Sequence, residues 1–365
     1  MWGNIAIAFL IAFIVSMMLT PYTIKIADKI GAVDVPKDKR RMHTKAMPKF
    51  GGPAVIIGFL ISVIYLLIVM SIEGSLNLFT QEQYWVKLIG LLLGIGIITV
   101  VGIIDDIKTL RPIAKLIGQI LAAVVVVIFG LRIEQITIPF LYEVGLNEAF
   151  SVLLTIVWIV GITNAINLID GLDGLSSGIT LIACISLLII FCLNASPLIA
   201  IILITALIGA LVGFLPFNFS PAKTFIGDTG SNFLGFMLSV ISILGIAKTY
   251  TIAVIVLPVI VLGLPIVDVV LAIIRRIIKG KSLKAVFKAD KGHLHHKLVE
   301  KGFSQKQAVL ILYGISAAFG MFAVILFDSG IIKALSFLLM VIAAVAIGYK
   351  NLFKPKAEEE EIKQQ

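Results

Sequence analysis

The chain has 365 residues, of which 59% are hydrophobic and 14% are charged, and its formal net charge at pH 7 is +9. A water-soluble domain carries about a quarter of charged residues, so this composition excludes a soluble globular protein and indicates an integral membrane protein. The basic residues are concentrated in loops between apolar segments, so the positive charge indicates membrane topology and does not indicate nucleic-acid binding.

Eleven apolar segments, each about as long as a helix that crosses the hydrocarbon core, predict an all-α polytopic membrane protein. The predicted spans are residues 3–20, 52–71, 86–104, 113–130, 149–166, 175–193, 197–215, 231–246, 252–274, 308–327 and 331–349. Residues 1–350 therefore form one transmembrane domain. Residues 351–365 are charged and poor in apolar side chains, which predicts a disordered tail.

Two local features interrupt this series of spans. The ninth span contains Pro258, Gly263 and Pro265, and a proline removes a helical hydrogen bond, so we expect this helix to be broken or kinked. Residues 131–139, between the fourth and fifth spans, alternate apolar and polar side chains, which predicts a short hairpin.

Lysine and arginine are distributed unequally between alternate loops. One set of loops, together with the C-terminal tail, holds 26 of the 30 basic residues, whereas the other set holds four. Cytoplasmic loops are enriched in basic residues, so the first set is predicted to face the cytoplasm. The N terminus then lies outside, the C terminus inside and the hairpin on the extracytoplasmic side of the cell membrane.

Acidic, amide and histidine side chains occur at the span ends that face the same predicted cytoplasmic side. They are Asp105, Asp106, Asn164, Asn167, Asp170, Asp173, Asp228, His293, His295 and His296. Five carboxylates at one face repel each other unless a cation lies between them, and Mg²⁺ takes one or two carboxylates together with phosphate oxygens. Basic residues on the same side could offset the charge of an anionic substrate: Lys45, Lys49, Lys108, Arg111, Lys115 and Lys223. The combination predicts a magnesium and pyrophosphate site beside the lipid.

Each motif also has a simpler interpretation. Asp105 and Asp106 could mark only the end of a helix, and the Asn, Asp and Gly residues at 164–174 could form only a turn. Asp228 could be only a helix cap. The three histidines could form a solvated loop or ligate zinc, although no cysteine lies near them. Polar groups at the edge of an apolar segment are costly, which favours a function for the motif at 164–174.

The order of the motifs resembles that of the polyprenyl-phosphate N-acetylhexosamine 1-phosphate transferases, glycosyltransferase family 4. The resemblance covers nearly the whole chain, from the segment at 43–52, which ends in Pro-Lys-Phe-Gly-Gly, to Gly-His-Leu-His-His at 292–296. The form of the histidine motif is similar to the GlcNAc-1-phosphate branch and differs from the phospho-MurNAc-pentapeptide branch. The resemblance implies transfer of GlcNAc 1-phosphate from UDP-GlcNAc to undecaprenyl phosphate, with release of UMP, as the first membrane step of teichoic acid, lipopolysaccharide or another envelope glycan.

The resemblance also implies roles for individual residues. Asp228 and Asn167 would lie at the metal, Mg²⁺ or alternatively Mn²⁺, and Phe225 would stack on uracil. Substrate binding would further involve Lys45, Asn164 and Lys115. The catalytic set would comprise Asp105 and Asp106 at the lipid phosphate, Asp170 and Asp173 on the nucleotide side, and His293, His295 and His296 as cationic donors.

Several alternatives stay open at the level of sequence. The acceptor phosphate, with a second pKa near 6, is mostly a dianion at pH 7, which favours direct attack over a covalent aspartyl-phosphate intermediate without excluding the latter. A secondary transporter would explain the broken ninth span, although its ionisable groups would be expected near the membrane centre. A CDP-alcohol phosphotransferase would carry Asp-Gly-x-x-Ala-Arg, which differs from the Asp-Gly-Leu-Asp-Gly-Leu at 170–175. The oligomeric state, a homodimer included, is also open.

Overall fold

The computed structural model describes residues 2–35, 46–73, 84–137, 143–246, 256–280 and 292–352. The helices are α1 (Trp2–Ile30), α2 (Gly52–Ile72), α3 (Tyr84–Lys108), α4 (Pro112–Ile128), α5 (Glu148–Ile169), α6 (Leu175–Leu193), α7 (Leu198–Asn218), α8 (Gly227–Ile246), α9 (Val256–Val261), α10 (Gly263–Gly280), α11 (Leu294–Glu300), α12 (Gln305–Ser329) and α13 (Ile331–Leu352). The strands are β1 (Val33–Asp34), β2 (Met47–Pro48), β3 (Gln135–Thr137) and β4 (Glu143–Gly145).

The predicted all-α polytopic class is confirmed. Within the described part of the chain, seven helices are long and apolar enough to cross a membrane, namely α1, α2, α3, α5, α6, α7 and α12. Apolar stretches of α4 and α13 are shorter. Every predicted span corresponds to a helix or, for the ninth span, to the pair α9 and α10.

Helix α7 lies at the centre of the bundle and packs against α1, α2 and α6. It is the most buried of the seven long helices, with 83% of its most apolar stretch inside the protein. A Cβ atom on Gly209 or Gly213 would lie only 2.3–2.4 Å from the carbonyl oxygen of Phe9 or Phe13 in α1. Small residues of this kind let membrane helices approach until their backbones touch, and they hold α1 against α7 here.

The predicted interruption of the ninth span is confirmed. Helix α9 ends at Val261, and α10 begins at Gly263 after a single intervening residue. Pro265 has no N–H group to donate to the carbonyl four residues earlier, which is that of Val261. The helical ladder is therefore interrupted at this position.

The predicted hairpin between the fourth and fifth spans is also confirmed. Strands β3 and β4 pair antiparallel, with Ile136 opposite Val144, and residues 138–142 lie outside the described ranges. A second two-stranded pair, β1 with β2, was not predicted, and it brings Asp34 opposite Met47. Lys45 and residues 353–365 of the predicted tail also lie outside the described ranges.

Two glycine contacts bring the helix ends that carry the polar motifs together. A Cβ on Gly102 of α3 would lie 2.4 Å from the Cα atom of Thr229 in α8. A Cβ on Gly235 of α8 would lie 2.6 Å from the Cα atom of Thr163 in α5. Helices α3 and α5 therefore press directly on α8 within about two turns of its N terminus.

Candidate active site

The first turn of α8 is capped by a carboxylate from another helix. Asp106 accepts hydrogen bonds from the backbone N–H groups of Asp228 (2.8 Å) and Thr229 (2.9 Å) and from the Thr229 hydroxyl (2.5 Å). The first N–H groups of a helix have no partner within the helix, and the helix dipole favours negative charge there. Asp106 is fully buried, so its main effect is to hold the backbone of Asp228 in place.

The first residue of α8, Gly227, occupies a position in which only glycine fits. Gly227 has a φ of +72°, and a Cβ atom there would lie 2.3 Å from the carbonyl oxygen of Lys49. The N–H groups of Gly51 and Gly52 donate to the carbonyls of Phe225 (3.0 Å) and Ile226 (2.8 Å). The Pro-Lys-Phe-Gly-Gly and Gly-Asp-Thr-Gly motifs therefore form one structural unit.

The Lys115 ammonium group joins two carboxylates from different helices. It forms ion pairs with Asp105 Oδ2 at 2.9 Å and with Asp228 Oδ1. Asn167 Nδ2 donates to the same Asp228 oxygen at 2.8 Å and to the Ser231 hydroxyl at 2.7 Å. Helices α3, α4, α5 and α8 each contribute one charged or amide group to this cluster. Asp228, with 31% of its side chain exposed, is its most accessible carboxylate.

Asp105 and Asp106 lie behind the wall of the site. Asp105 has 6% of its side chain exposed, and its second oxygen accepts a 2.6 Å hydrogen bond from the N–H of Leu110. Neither aspartate lines the cavity described next. Their contact with the lipid phosphate stays a prediction.

An open cavity of about 370 Å³ lies in front of the Lys115 cluster. Its lining is mostly polar and comes from strand β1, the residue that follows strand β2 and several helix ends. The lining residues are Asp34, Lys49, Asn167, Asp170, Gly171, Leu172, Asp173, Asn218, Phe225, Gly227, Asp228, His296 and Gln305. Six of the predicted site residues are therefore brought to one cavity: Asn167, Asp170, Asp173, Phe225, Asp228 and His296.

Three lining residues were missed by sequence reasoning: Asp34, Asn218 and Gln305. Asn218 ends α7 and lies ten residues before Asp228, so its position at a span end was a usable signal. Asp34 reaches the cavity through the unpredicted β1–β2 pairing, and Gln305 begins α12 after its capping residue Ser304. Neither Asp34 nor Gln305 belongs to a motif that would have singled it out.

The loop after α5 is held by its own carboxylates. Asp170 accepts a hydrogen bond from the Ser176 hydroxyl at 2.6 Å, and Asp173 accepts one from the N–H of Ala222 at 3.0 Å. Burial, with the nearby negative charges of Asp228 and Asp106, raises the pKa of Asp170 to about 7. Asp170 can therefore hold or release a proton near neutral pH.

The histidine motif is anchored by a carboxylate from α10. Asp268 Oδ2 lies 2.8 Å from His293 Nδ1, and its other oxygen accepts a hydrogen bond from the N–H of Leu294 at 2.9 Å. The ring of His295 packs against Gly171, where a Cβ atom would lie 2.4 Å from its Nε2. The motif is therefore fixed to the loop that carries Asp170 and Asp173.

One histidine differs from the expected cationic donor. His295 is 2% exposed, and burial together with the neighbouring His296 and His293 lowers its pKa to about 3. It is therefore neutral at pH 7, because a buried ring without an opposite charge in contact loses its proton easily. Within the described residues its Nδ1 atom has no hydrogen-bond partner.

The donor set around the cavity fits a magnesium ion that shares its ligands with a substrate. Asp170, Asp173 and Asp228 supply carboxylate oxygens to the lining. No group of three or more His, Cys, Asp or Glu side chains among the described residues is arranged to hold a metal ion by itself. Mg²⁺ commonly binds through one or two carboxylates and completes its shell with water and substrate phosphates, so an all-protein cage is not needed.

The fold and this site define a polytopic membrane protein with an oxygen-rich, lysine-containing cavity formed by helix ends. Residues 88–246 match the family model described as glycosyl transferase family 4. The chain is 38% identical, over 96% of its own length and 95% of the relative's, to the probable undecaprenyl-phosphate N-acetylglucosaminyl 1-phosphate transferase of Bacillus subtilis (strain 168). The chain therefore belongs to glycosyl transferase family 4, and it is an enzyme.

The similarity to two further relatives covers different shares of the chain. The decaprenyl-phosphate N-acetylglucosaminephosphotransferase of Mycobacterium tuberculosis (strain ATCC 25618 / H37Rv) is 32% identical over 94% of this chain and 88% of its own. The phospho-N-acetylmuramoyl-pentapeptide-transferase of Streptococcus agalactiae serotype III (strain NEM316) is also 32% identical, but over only 64% of this chain and 70% of its own. The similarity to the GlcNAc-named relatives thus extends over more of the chain.

Proposed function

We propose that this protein transfers N-acetylglucosamine 1-phosphate from UDP-GlcNAc to undecaprenyl phosphate and releases UMP. The observation that carries the proposal is the cluster of Lys115, Asp228 and Asn167, in which Asp228 and Asn167 line the same cavity as Phe225 and Lys115 pairs with Asp228 from behind. Such a cavity offers an aromatic ring for a base, cations for a pyrophosphate and carboxylates for Mg²⁺. The names of the near full-length relatives support the GlcNAc donor and the polyprenyl acceptor.

The donor would bind with its uracil against Phe225 and its pyrophosphate between Lys49 and the Lys115 cluster. Lys49 lines the cavity, and its ammonium group lies 3.8 Å from the buried Asp106 carboxylate. These fixed cations would offset the charge of the two phosphates, and positioning and charge stabilisation account for most of the rate enhancement in phosphoryl transfer. A bound Mg²⁺, held by Asp228 with Asp170 or Asp173, would withdraw further charge from the pyrophosphate.

The transfer step needs little proton chemistry from the protein. At pH 7 the acceptor phosphate is mostly a dianion, because its second pKa lies near 6. One of its oxygens would attack the β-phosphorus of UDP-GlcNAc, a new P–O bond would form, and the bond to the bridging oxygen would break. UMP leaves with that oxygen.

Asp105 and Asp106 would act through their neighbours. Asp105 contacts the Lys115 ammonium, and Asp106 caps the helix turn that carries Asp228. Replacing either aspartate would then weaken transfer by moving Lys115 or Asp228, without removing a base. This assignment favours direct attack, because neither buried aspartate lines the cavity as a covalent nucleophile would.

The membrane arrangement belongs to the same proposal. With the lysine-rich loops inside, the cavity would open to the cytoplasm, where nucleotide sugars are made, and the β3–β4 hairpin would lie outside. The membrane would be the cell membrane, and the product would begin a cell-envelope glycan such as teichoic acid. Cysteine accessibility at the hairpin and at the loop before α12 tests this orientation.

The reaction is tested with purified protein in detergent, undecaprenyl phosphate and Mg²⁺. UDP-GlcNAc, UDP-GalNAc, UDP-glucose and UDP-MurNAc-pentapeptide are compared, and UMP and the lipid product are measured by mass spectrometry. We expect UDP-GlcNAc to give the highest kcat/KM, with UMP and lipid product formed in equal amounts. Preference for UDP-MurNAc-pentapeptide would overturn the donor assignment, and no turnover with any donor would overturn the proposed reaction.

A further inference from the structure

A second polar layer lies beneath the Lys115 cluster, inside the helix bundle. Asn164 Nδ2 donates to Gln119 Oε1 at 2.6 Å, and Gln119 Nε2 donates to Asn232 Oδ1 at 2.8 Å. These three amides come from α5, α4 and α8, and we call them the amide layer. Gln119 and Asn232 are each 1% exposed and Asn164 is half-buried, and none of the three lines the cavity, so the substrate-binding role of Asn164 stays a prediction.

The amide layer repeats the helices of the Lys115 cluster one turn deeper. Gln119 follows Lys115 by four residues on α4, and Asn232 follows Asp228 by four residues on α8. Asn164 precedes Asn167 by three residues on α5. Residues three or four apart lie on the same helix face, about one 5.4 Å turn from each other. Every helix that supplies an amide therefore also supplies a group to the cluster.

The amide layer is also connected to the Lys115 cluster by a hydrogen bond to the backbone of Asp228. Asn232 Nδ2 donates to the Asp228 carbonyl at 2.7 Å, and Asn164 Nδ2 also donates to the Val160 carbonyl at 2.8 Å. The two hydrogen bonds of Gln119 each join two helices, so in each of them a donor on one helix must face an acceptor on the other. A rotation or slide of α4 would break both Gln119 bonds and leave buried amide groups unpaired, which costs about 1–3 kcal/mol for each group.

We propose that the amide layer is a register lock, in which Gln119 positions Lys115 of α4 against Asp228 of α8 and Asn167 of α5. Gln119, Asn232 and Asn164 are positioning residues, because they act on the site through the helix turns above them. An apolar residue at position 119 would still pack in the bundle but would leave α4 free to shift. The rate consequence rests on the proposed transfer reaction, whereas the effect on Lys115 does not.

The direct test measures the reactivity of Lys115 in Gln119→Met, which keeps the length of the side chain and removes both hydrogen bonds. Lysine acetylation by acetic anhydride is followed by mass spectrometry, with Lys49 as the internal reference and Thr205→Val in α7 as a matched buried control. We expect Lys115 to react about tenfold faster relative to Lys49 in Gln119→Met, because a shift of about 1 Å breaks its ion pairs. An unchanged ratio in Gln119→Met, or an equal rise in Thr205→Val, would overturn the lock.

Turnover provides the second readout, with Gln119→Glu as the conservative variant. A protonated glutamic acid reproduces both the acceptor for Asn164 and the donor for Asn232, whereas an ionised one cannot donate. We expect Gln119→Met to lower kcat about 10- to 100-fold at all pH values with little change in KM. Gln119→Glu should recover kcat as the pH is lowered, or match the wild type throughout if burial keeps it protonated.

The outcomes separate the lock from the proposed reaction. If Gln119→Met exposes Lys115 but the wild type transfers no sugar phosphate, the lock holds and the proposed function fails. If Gln119→Met keeps the wild-type kcat per folded protein, or Gln119→Glu is as slow as Gln119→Met at every pH, the positioning role is refuted.

Discussion

The two walls of the cavity are built in different ways. The lysine wall, in which Asn167 and Asp228 line the cavity and Asp105, Asp106 and Lys115 lie behind them, joins four helices through ion pairs and hydrogen bonds. The histidine wall, in which His296 lines the cavity and Asp268, His293 and His295 lie behind it, contains the contact between Asp268 and His293 and a buried, neutral His295. The lysine wall thus presents charges that are already held in place before a substrate arrives, which is the arrangement that favours phosphoryl transfer.

The two walls should therefore respond differently to single substitutions. On the lysine wall, loss of one charge leaves its partner buried and unpaired, so single substitutions should have large effects on rate. The histidine wall packs against backbone at Gly171, and its buried His295 carries no charge at pH 7. Substitutions there should have smaller effects on rate and clearer effects on the pH dependence of stability.

The largest expected effect follows from Asp228→Asn. The substitution removes the charge that pairs with Lys115 and the most accessible carboxylate of the lysine wall. We expect kcat to fall at least about 10³-fold in an assay of UMP release, since a single electrostatic contact is worth about 10²–10³-fold and the proposed Mg²⁺ site would be lost as well. Asp328→Asn, at the exposed end of α12 and outside the cavity, serves as the control and should retain most activity. A fully active Asp228→Asn would refute the role of the lysine wall.

The next largest effect is expected for Asp106→Asn. An asparagine offers one acceptor oxygen where Asp106 accepts from both Asp228 and Thr229, so one N–H of the first turn of α8 loses its partner. We expect a loss of about 1–3 kcal/mol in unfolding free energy and a kcat reduced about 10- to 100-fold. Thermal unfolding in detergent and steady-state kinetics measure the two effects.

Asp105→Asn gives the matched comparison for that variant. It weakens the pairing with Lys115 without touching the cap of α8. UDP-sugar binding should be preserved while transfer is suppressed, and the melting temperature should fall less than for Asp106→Asn. Equal melting temperatures for the two variants would contradict a capping role for Asp106.

A smaller effect is expected on the histidine wall for Asp268→Asn. The amide can still accept from the Leu294 N–H, but it no longer carries the charge that faces His293 Nδ1. Partners that orient a functional histidine are worth about 10- to 100-fold, and we expect the lower end here. The kcat should fall with little change in the melting temperature; a change in KM alone would indicate that the motif serves only binding.

The smallest expected effect is a pH-dependent change in stability for His295→Gln. The folded protein holds the pKa of His295 at about 3, below the ordinary 6.5, so between these values the unfolded chain binds a proton that the folded chain does not. His295 therefore destabilises the fold as the pH falls below 6.5, by roughly 1–2 kcal/mol near pH 5. The raised pKa of Asp170 has the opposite effect, because it stabilises the fold as the pH falls below about 7. Asp170 is present in both the wild type and His295→Gln, so its contribution cancels in the comparison.

The measurement compares unfolding of wild type and His295→Gln between pH 8 and pH 5. The free energy of unfolding of the variant should rise relative to that of the wild type as the pH falls. A difference that is independent of pH would show that folding does not lower the pKa of His295.

The apolar pattern predicted the helices well, because a membrane span is determined by its own length and composition. The break near Pro265 followed from the missing N–H of proline, and the alternation of loops brought Asp170 and Asp228 to one cavity. These are properties of single segments. They need no knowledge of which helices are neighbours.

The contacts between helices could not be predicted in the same way. Asp105 and Asp106 are adjacent in sequence, yet Asp105 pairs with Lys115 and Asp106 caps α8, because successive residues of a helix point in different directions. Gln119 resembles a solitary polar residue within a span until Asn164 and Asn232 are placed beside it. Spacing identifies the end of a helix, whereas the partner depends on how the helices pack.

The most direct test of the proposed active site is an experimental structure of the protein with Mn²⁺ and UDP-GlcNAc, in which the metal is located by anomalous scattering. We expect the ion to lie beside the Asp228 carboxylate, the pyrophosphate to lie between Lys49 and Lys115, and the uracil ring to lie against Phe225. A metal ion bound at the histidine motif, or a nucleotide bound outside this cavity, would contradict it.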